Sequence, residues 1–358
     1  MDSKIILVVV LILMVILALA MIRRSEDAPS GDATTNDNGD ILPEPNGDTP
    51  PDSNGDIPPD TNGNTSPGQY TINPGTYDYS FEHGGLTRTF QVYVPSSYDK
   101  SPTPLLFNLH GGFGNGKQQC EMSGMYRVSD EKGFILVCPD GTPGDDGIIK
   151  SKFLYWNDGV ITNSPAYQNN VDDVGFVEEM LDHIGERFNV DNSRVYSTGL
   201  SNGAILSYRL ACELSDRITA VGPVAGTMGK PPMQCNPPRQ VPIINFQGIE
   251  DTNIPYYGGM GSGFAEYEFP SVQDSIGMWI SINGLSLTPT DTGRVGQYAK
   301  YEAYGNEGQA QVVLWTLEDG AHTWPGGEAI LGGRTGNVNQ DISASEVMWE
   351  FFDKYEIQ

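Results

Sequence analysis

The order of apolar and polar positions divides the chain into three stretches. Ile5 to Ile22 is a run of eighteen apolar residues, which as a helix would span about 27 Å, close to the hydrocarbon thickness of a bilayer. A uniformly apolar helix has no polar face to turn away from a core. Residues 1–24 therefore read as a membrane-entering segment. It is either a signal peptide cut after Ala18-Leu19-Ala20 or an uncleaved anchor flanked by Arg23 and Arg24. Residues 25–69 contain no Lys, Arg or aromatic residue and repeat an octapeptide, Asn46 to Ser53 and Asn54 to Thr61. Such a segment buries too little to fold and reads as a solvated, extended linker. Its Asp52-Ser53-Asn54-Gly55-Asp56 run is no EF-hand loop, because Ile57 and Gly63 stand where that loop needs Gly and Glu. Asn64-Thr65-Ser66 is a lone glycosylation sequon.

From Tyr70 the pattern changes to short apolar runs alternating with amphipathic ones. Thr89 to Val94, Pro104 to Leu109, Phe134 to Cys138, Arg194 to Thr198, Val241 to Gln247 and Val312 to Leu317 predict strands. Between them, Val171 to Phe188 places Val174, Val177, Leu181, Ile184 and Phe188 on one helical face and leaves His183 off it, as a solvated residue. Ile342 to Tyr355 predicts a closing helix with Val347, Phe351 and Phe352 inward. Strands alternating with helices predict an α/β domain over residues 70–358, built on a mostly parallel sheet covered on both faces. Its 289 residues suffice for one full core.

Candidate chemistry gathers at the ends of these strands. Gly199-Leu200-Ser201-Asn202-Gly203 lies where the run Arg194 to Thr198 gives way to the helical Ala204 to Leu210. Strand, G-x-S-x-G, helix is the context of a nucleophile elbow. A base for Ser201 in that arrangement lies downstream, and of the four histidines (His83, His110, His183, His322) only His322 does. The acid is expected on the loop after Val241 to Gln247, with Asp251 the first candidate and Glu250 the alternative. An early strand runs into His110-Gly111-Gly112-Phe113, whose backbone would provide one oxyanion donor from Gly112 or Phe113 beside the N–H of Asn202. His110 reads as the organiser of that turn. Tyr155, Trp156 and Trp324 are candidate substrate-binding aromatics, together with Phe113.

Composition narrows the partners. Residues 70–358 hold 35 acidic against 17 basic residues, a net charge of about −18 that argues against nucleic acid. No Cys/His cluster supports a metal, and nothing calls for a cofactor. The oligomeric state is not legible.

His110-Gly111-Gly112, Val171-Asp172-Asp173-Val174-Gly175-Phe176, the Ser201 pentapeptide, Val224-Ala225-Gly226, Gly248 to Pro255 and His322-Thr323-Trp324-Pro325-Gly326-Gly327 follow in order over about residues 76 to 356. Together they resemble the secreted polyhydroxybutyrate-depolymerase and feruloyl-esterase branch of the α/β-hydrolases. The resemblance implies the α/β-hydrolase fold and an exported serine esterase acting on polymers or their side-chain esters. It also implies a triad of Ser201, Asp251 and His322. Members of that branch usually carry a small residue where this chain has Glu250. A serine peptidase of the same fold, or a surface binding module on the same scaffold, would share many of these features. Cys120, Cys138, Cys212 and Cys235 fit two disulfides in an exported protein. Of the three connectivities, Cys120 with Cys138 and Cys212 with Cys235 are favoured as pairs close in sequence that flank neighbouring elements.

Overall fold

In a computed structural model of the chain, the described residues are 70–144, 152–229, 235–262, 267–329 and 335–357. The membrane-entering segment, the linker and the sequon lie outside them. Among the described residues no helix is long and apolar enough to cross a membrane.

Ten strands form one sheet: β1 (Gly75–His83), β2 (Leu86–Val94), β3 (Thr103–Leu109), β4 (Ile135–Pro139), β7 (Val190–Leu200), β8 (Ala220–Val224), β9 (Ile243–Gly248), β12 (Asp291–Val295), β13 (Ala299–Tyr304) and β14 (Val312–Leu317). Two small ribbons stand apart, β5 (Thr142–Pro143) with β6 (Leu154–Tyr155) and β10 (Gly259–Met260) with β11 (Glu268–Phe269). The order across the sheet is β1-β2-β4-β3-β7-β8-β9-β14-β13-β12. The six central strands, β4 to β14 in that order, run parallel. The flanking β1 and β2 on one side, and β12 and β13 on the other, pair antiparallel. The central strands β3, β4, β8, β9 and β14 are buried along their whole length, and β7 over its second half, because helices cover both faces. Along β3, Leu105, Phe107 and Leu109 pack toward the helices Asp173–Gly185, Asn202–Glu213 and Val272–Ile282. Leu106 packs the other way, toward Met125–Lys132 and Ala344–Phe352.

Two sequence expectations change here. The helix over the first face is Asp173–Gly185, capped by the Asp172 carboxylate on the Gly175 N–H. Its His183 is not solvated: the ring lies 5.4–5.8 Å from Tyr79, Phe81 and Phe90. The β1–β2 hairpin covers that side of the helix, and burial lowers the pKa of His183.

The chain passes from β3 to β4 in one direction and from β7 to β8, β9 and β14 in the other. The β3/β7 boundary is thus a topological switch point, where crevices form outside the carboxyl ends of parallel strands. Those ends are level: Leu109 lies opposite Gly199, Leu200 opposite Val224, and Leu317 opposite Gly248. At the boundary the two backbones touch. A Cβ on Gly199 would lie 2.6 Å from the Leu109 carbonyl oxygen, and one on Gly203 would lie 2.4 Å from it and 2.6 Å from that of His110. Cys120 is bonded to Cys138 and Cys212 to Cys235.

Reducing the bridges, which span 18 and 23 residues, should lower the melting temperature by roughly 5–10 °C each, because each closed loop restricts the unfolded chain. Thiol counting under denaturing, non-reducing conditions checks the pairing; titratable thiols would refute it. Gly203→Ala should cost about 1–3 kcal/mol or more, since backbone rather than a flexible side chain opposes the new methyl. Gly277→Ala, inside a helix with nothing within 4 Å of the new Cβ, should stabilise by about 0.5–1 kcal/mol. Thermal melts of the two variants moving in the same direction would contradict this account.

Candidate active site

Ser201 sits on the turn between β7 and the helix Asn202–Glu213, with φ 57° and ψ −118°. Positive φ for a residue with a Cβ is strained, of order 1–3 kcal/mol, and persists only where the surroundings impose it. Here they do. The Ser201 N–H donates to Val224 O at 3.0 Å, and the Ile205 N–H donates to Ser201 O at 3.0 Å. The absence of side chains at Gly199 and Gly203 lets the turn close against β3.

Asp251 follows β9, and its carboxylate is buried with every bond directed. Oδ1 accepts from the Asn253 and Ile254 N–H groups at 2.9 Å each. Oδ2 accepts from Gln247 Nε2 at 2.9 Å and from His322 Nδ1 at 2.8 Å. Donation from Nδ1 leaves the neutral ring's lone pair on Nε2. Glu250 is exposed, and its contact with the histidine loop is through its backbone N–H to Gly320 O at 2.9 Å. The acid and histidine loops also touch directly, because a Cβ on Gly248 would stand 2.2 Å from Gly320 O. The structure thus brings Asp251 and His322 together from β9 and the adjacent β14.

The loop after β3 lies beside the serine, with a Cβ on Gly111 reaching 3.4 Å from that of Ser201. His110 is buried and organises it. Its Nε2 accepts from the Gly141 N–H at 2.9 Å, which leaves Nδ1–H to donate to Gly111 O at 2.7 Å. Burial holds its pKa down at about 4. The Phe113 N–H is not an open donor, because it bonds Leu154 O at 2.9 Å. Neither the Gly112 N–H nor the Asn202 N–H donates to another described residue. The expectation of Gly112 or Phe113 thus narrows to Gly112.

The aromatic candidates divide. Tyr155 is half-buried, 5.0 Å from the Phe113 ring and close to Gly112. Phe153, which the sequence reading missed, packs edge-on against Phe113 at 5.2 Å and is 37% exposed. Trp156 and Trp324 are corrections. Each is at most 1% exposed. The Trp156 indole N–H donates to His110 O at 2.9 Å, and that of Trp324 to Ser345 Oγ at 3.0 Å. They brace loops behind the site and present no surface to a substrate.

Also missed was a buried polar network behind the serine. Asp158, whose carboxyl burial pushes up to about 6, accepts from Asn202 Nδ2 at 2.6 Å. Asp173 pairs with the buried Arg88 at 2.6 Å and takes the Asn157 N–H at 2.6 Å. Side-chain partners 44 and 85 residues apart leave no local sequence signal. Among the described residues no cluster of His, Cys, Asp and Glu could hold a metal ion.

No family model matches the chain. Feruloyl esterase B of Piromyces equi is 29% identical over 238 residues, covering 64% of this chain and 42% of that protein. Poly(3-hydroxyalkanoate) depolymerase C of Paucimonas lemoignei is 24% identical over 239 residues, covering 66% and 51%. The chain thus spans about half, or less, of the length of these relatives. The structure of an acetyl xylan esterase from Aspergillus awamori superposes with TM-score 0.50 at 16% identity, over 75% of this chain and 94% of that one. By topology and by this likeness the chain has the α/β-hydrolase fold, and its sequence is similar to the feruloyl-esterase and polyhydroxyalkanoate-depolymerase branch of that superfamily.

Proposed function

We propose that the chain is an exported serine esterase that hydrolyses carboxylic esters through an acyl-enzyme. Its substrates in this reading are feruloyl or acetyl esters of polysaccharides, or polyhydroxyalkanoate-type polyesters. The observation that carries the proposal is the 2.8 Å bond from His322 Nδ1 to a buried, fully engaged Asp251 carboxylate, on loops level with a serine held at positive φ. The names of the relatives, all ester hydrolases, support the same class.

In this mechanism His322 Nε2 takes the proton of Ser201 Oγ as the oxygen attacks the ester carbonyl carbon. Asp251 fixes the ring's tautomer and stabilises the imidazolium. The N–H groups of Gly112 and Asn202 take the charge that develops on the carbonyl oxygen, and the second lies at the positive end of the helix Asn202–Glu213. The carbon–oxygen bond to the alcohol then breaks, with His322 returning the proton to the leaving oxygen. Water repeats the sequence on the acyl-enzyme, releasing the acid and restoring Ser201. Phe113, Tyr155 and the exposed Phe153 line the approach to Gly112, where a planar acyl group or a polyester chain would rest. Two disulfides suit an oxidising compartment outside the cytoplasm. An uncleaved residue 1–24 segment would leave the enzyme tethered there by the linker.

Fluorophosphonate should label the wild type at Ser201, and Ser201→Ala should lose both the label and turnover of p-nitrophenyl acetate and methyl ferulate. Label persisting on another serine, or turnover of peptides but not esters, would overturn the proposal. Asp251→Asn should lower kcat on the order of 10⁴-fold, because the amide favours the wrong tautomer. Glu250→Gln, at an exposed position, should stay within about twofold. Equal losses in the two variants would show that the acid is misassigned.

A further inference from the structure

The catalytic steps leave two buried carboxylates behind the serine, Asp158 and Asp173, without a role, and of these Asp158 bonds the Asn202 side chain directly. Asp158 is fully buried, and keeping a carboxylate there is costly, as the upward displacement of its pKa reflects. It makes three hydrogen bonds: Oδ1 accepts from the Val160 and Ile161 N–H groups at 2.8 Å, and Oδ2 from Asn202 Nδ2 at 2.6 Å. The Asn202 amide is thereby held in one orientation. Its Oδ1 accepts the Trp156 N–H at 2.7 Å, and its Nδ2 also donates to Trp156 O at 3.1 Å. A flipped amide would face oxygen with oxygen at two of these contacts and N–H with N–H at the third.

This clamp reaches the other side of the site. Two residues before Trp156, Leu154 O accepts the Phe113 N–H, and Phe113 follows Gly112. Asn202 therefore presents one candidate oxyanion donor from its backbone, while its side chain holds the strand that fixes the loop of the other. We infer that Asp158 is a positioning residue for the oxyanion hole: by orienting the Asn202 amide it sets the spacing between the Gly112 and Asn202 N–H groups. The inference rests on the serine-esterase reading above. The charged groups around Asp158 serve the same segment. Arg209 donates to Asn157 O at 2.8 Å, and Asp173, paired with Arg88, accepts from the Asn157 N–H. Loss of the clamp would free one donor to drift, and a displacement of about 1 Å at a reacting centre can cost about a hundredfold in rate.

Kinetics on p-nitrophenyl acetate, together with inhibition by phenylboronic acid, test the inference, because the boronate forms a tetrahedral adduct with the serine. Asp158→Asn opposes an N–H to Asn202 Nδ2. It should lower kcat about tenfold to a hundredfold, leave KM within about twofold and raise the boronate Ki by the same factor that kcat falls. Asn202→Ala keeps the backbone donor and removes the clamp; it should show the same pattern, and it decides the matter if Asp158→Asn does not fold. Wild-type kcat in the variants, or a fall in kcat with an unchanged boronate Ki, overturns the inference while Ser201 labelling leaves the esterase reading standing. A wild type that neither labels nor turns over ester overturns both.

Discussion

The arrangement of the site depends on one contact, the approach of the turn after β7 to the end of β3 with no side chain between them. Gly199 and Gly203 bring their own backbone to positions where a Cβ would stand within 2.6 Å of the Leu109 oxygen. The position of Ser201 relative to His110-Gly111-Gly112 is then set by main chain against main chain. Such a contact has no rotamers, so it holds distance more tightly than packed side chains do. It also stabilises the positive φ at Ser201, which no local interaction of a serine would favour. The loops of Asp251 and His322 repeat the device three strand pairs over, between β9 and β14, where Gly248 meets the Gly320 carbonyl.

Five of the six parallel strands were legible because strands covered on both faces read as largely apolar runs. Of the antiparallel flanks only β2 was, as Thr89 to Val94; β1, β12 and β13 were not. β1 alternates Tyr77, Tyr79 and Phe81 with polar residues, a period-2 signal that was present but unread; β12 is polar and mostly exposed. β8 went unpredicted because Gly222 and Pro223 interrupt its run. His183 shows the limit of a helical wheel, since the hairpin that buries it comes from a hundred residues upstream. The sharp turn at Ser201 and the loops that pair Asp251 with His322 were legible as motif and chain order, because glycines mark sharp turns in any context. The roles of Trp156 and Trp324 were not, because what settles them is where each indole N–H bonds.

The polar groups behind the serine belong to a different economy from the apolar core. Arg88 stands 3.9 Å from the centroid of Phe176, with Asp173 beside it, yet its Nε and Nη1 have no partner among the described residues. A buried pair so incompletely bonded adds little net stability. Its use is geometric: it fixes Asn157, and with it the strand leading back to Leu154.

His110, bonded through its carbonyl to the Trp156 indole, and Asp158, two residues beyond Trp156, are each held in a charge state that water would not favour at mildly acid pH. For His110, with its folded pKa near 4, stability is present above about 6.5 and drains away as the pH falls toward 4, because only the unfolded chain takes up the proton. For Asp158, with its folded pKa near 6, the folded protein takes up a proton over nearly the same window while the unfolded chain stays ionised, so stability rises as the pH falls toward about 3.9. One group releases what the other loses. The two contributions run in opposite directions over nearly the same window, so protonation around this segment costs the fold less than the His110 contribution alone would.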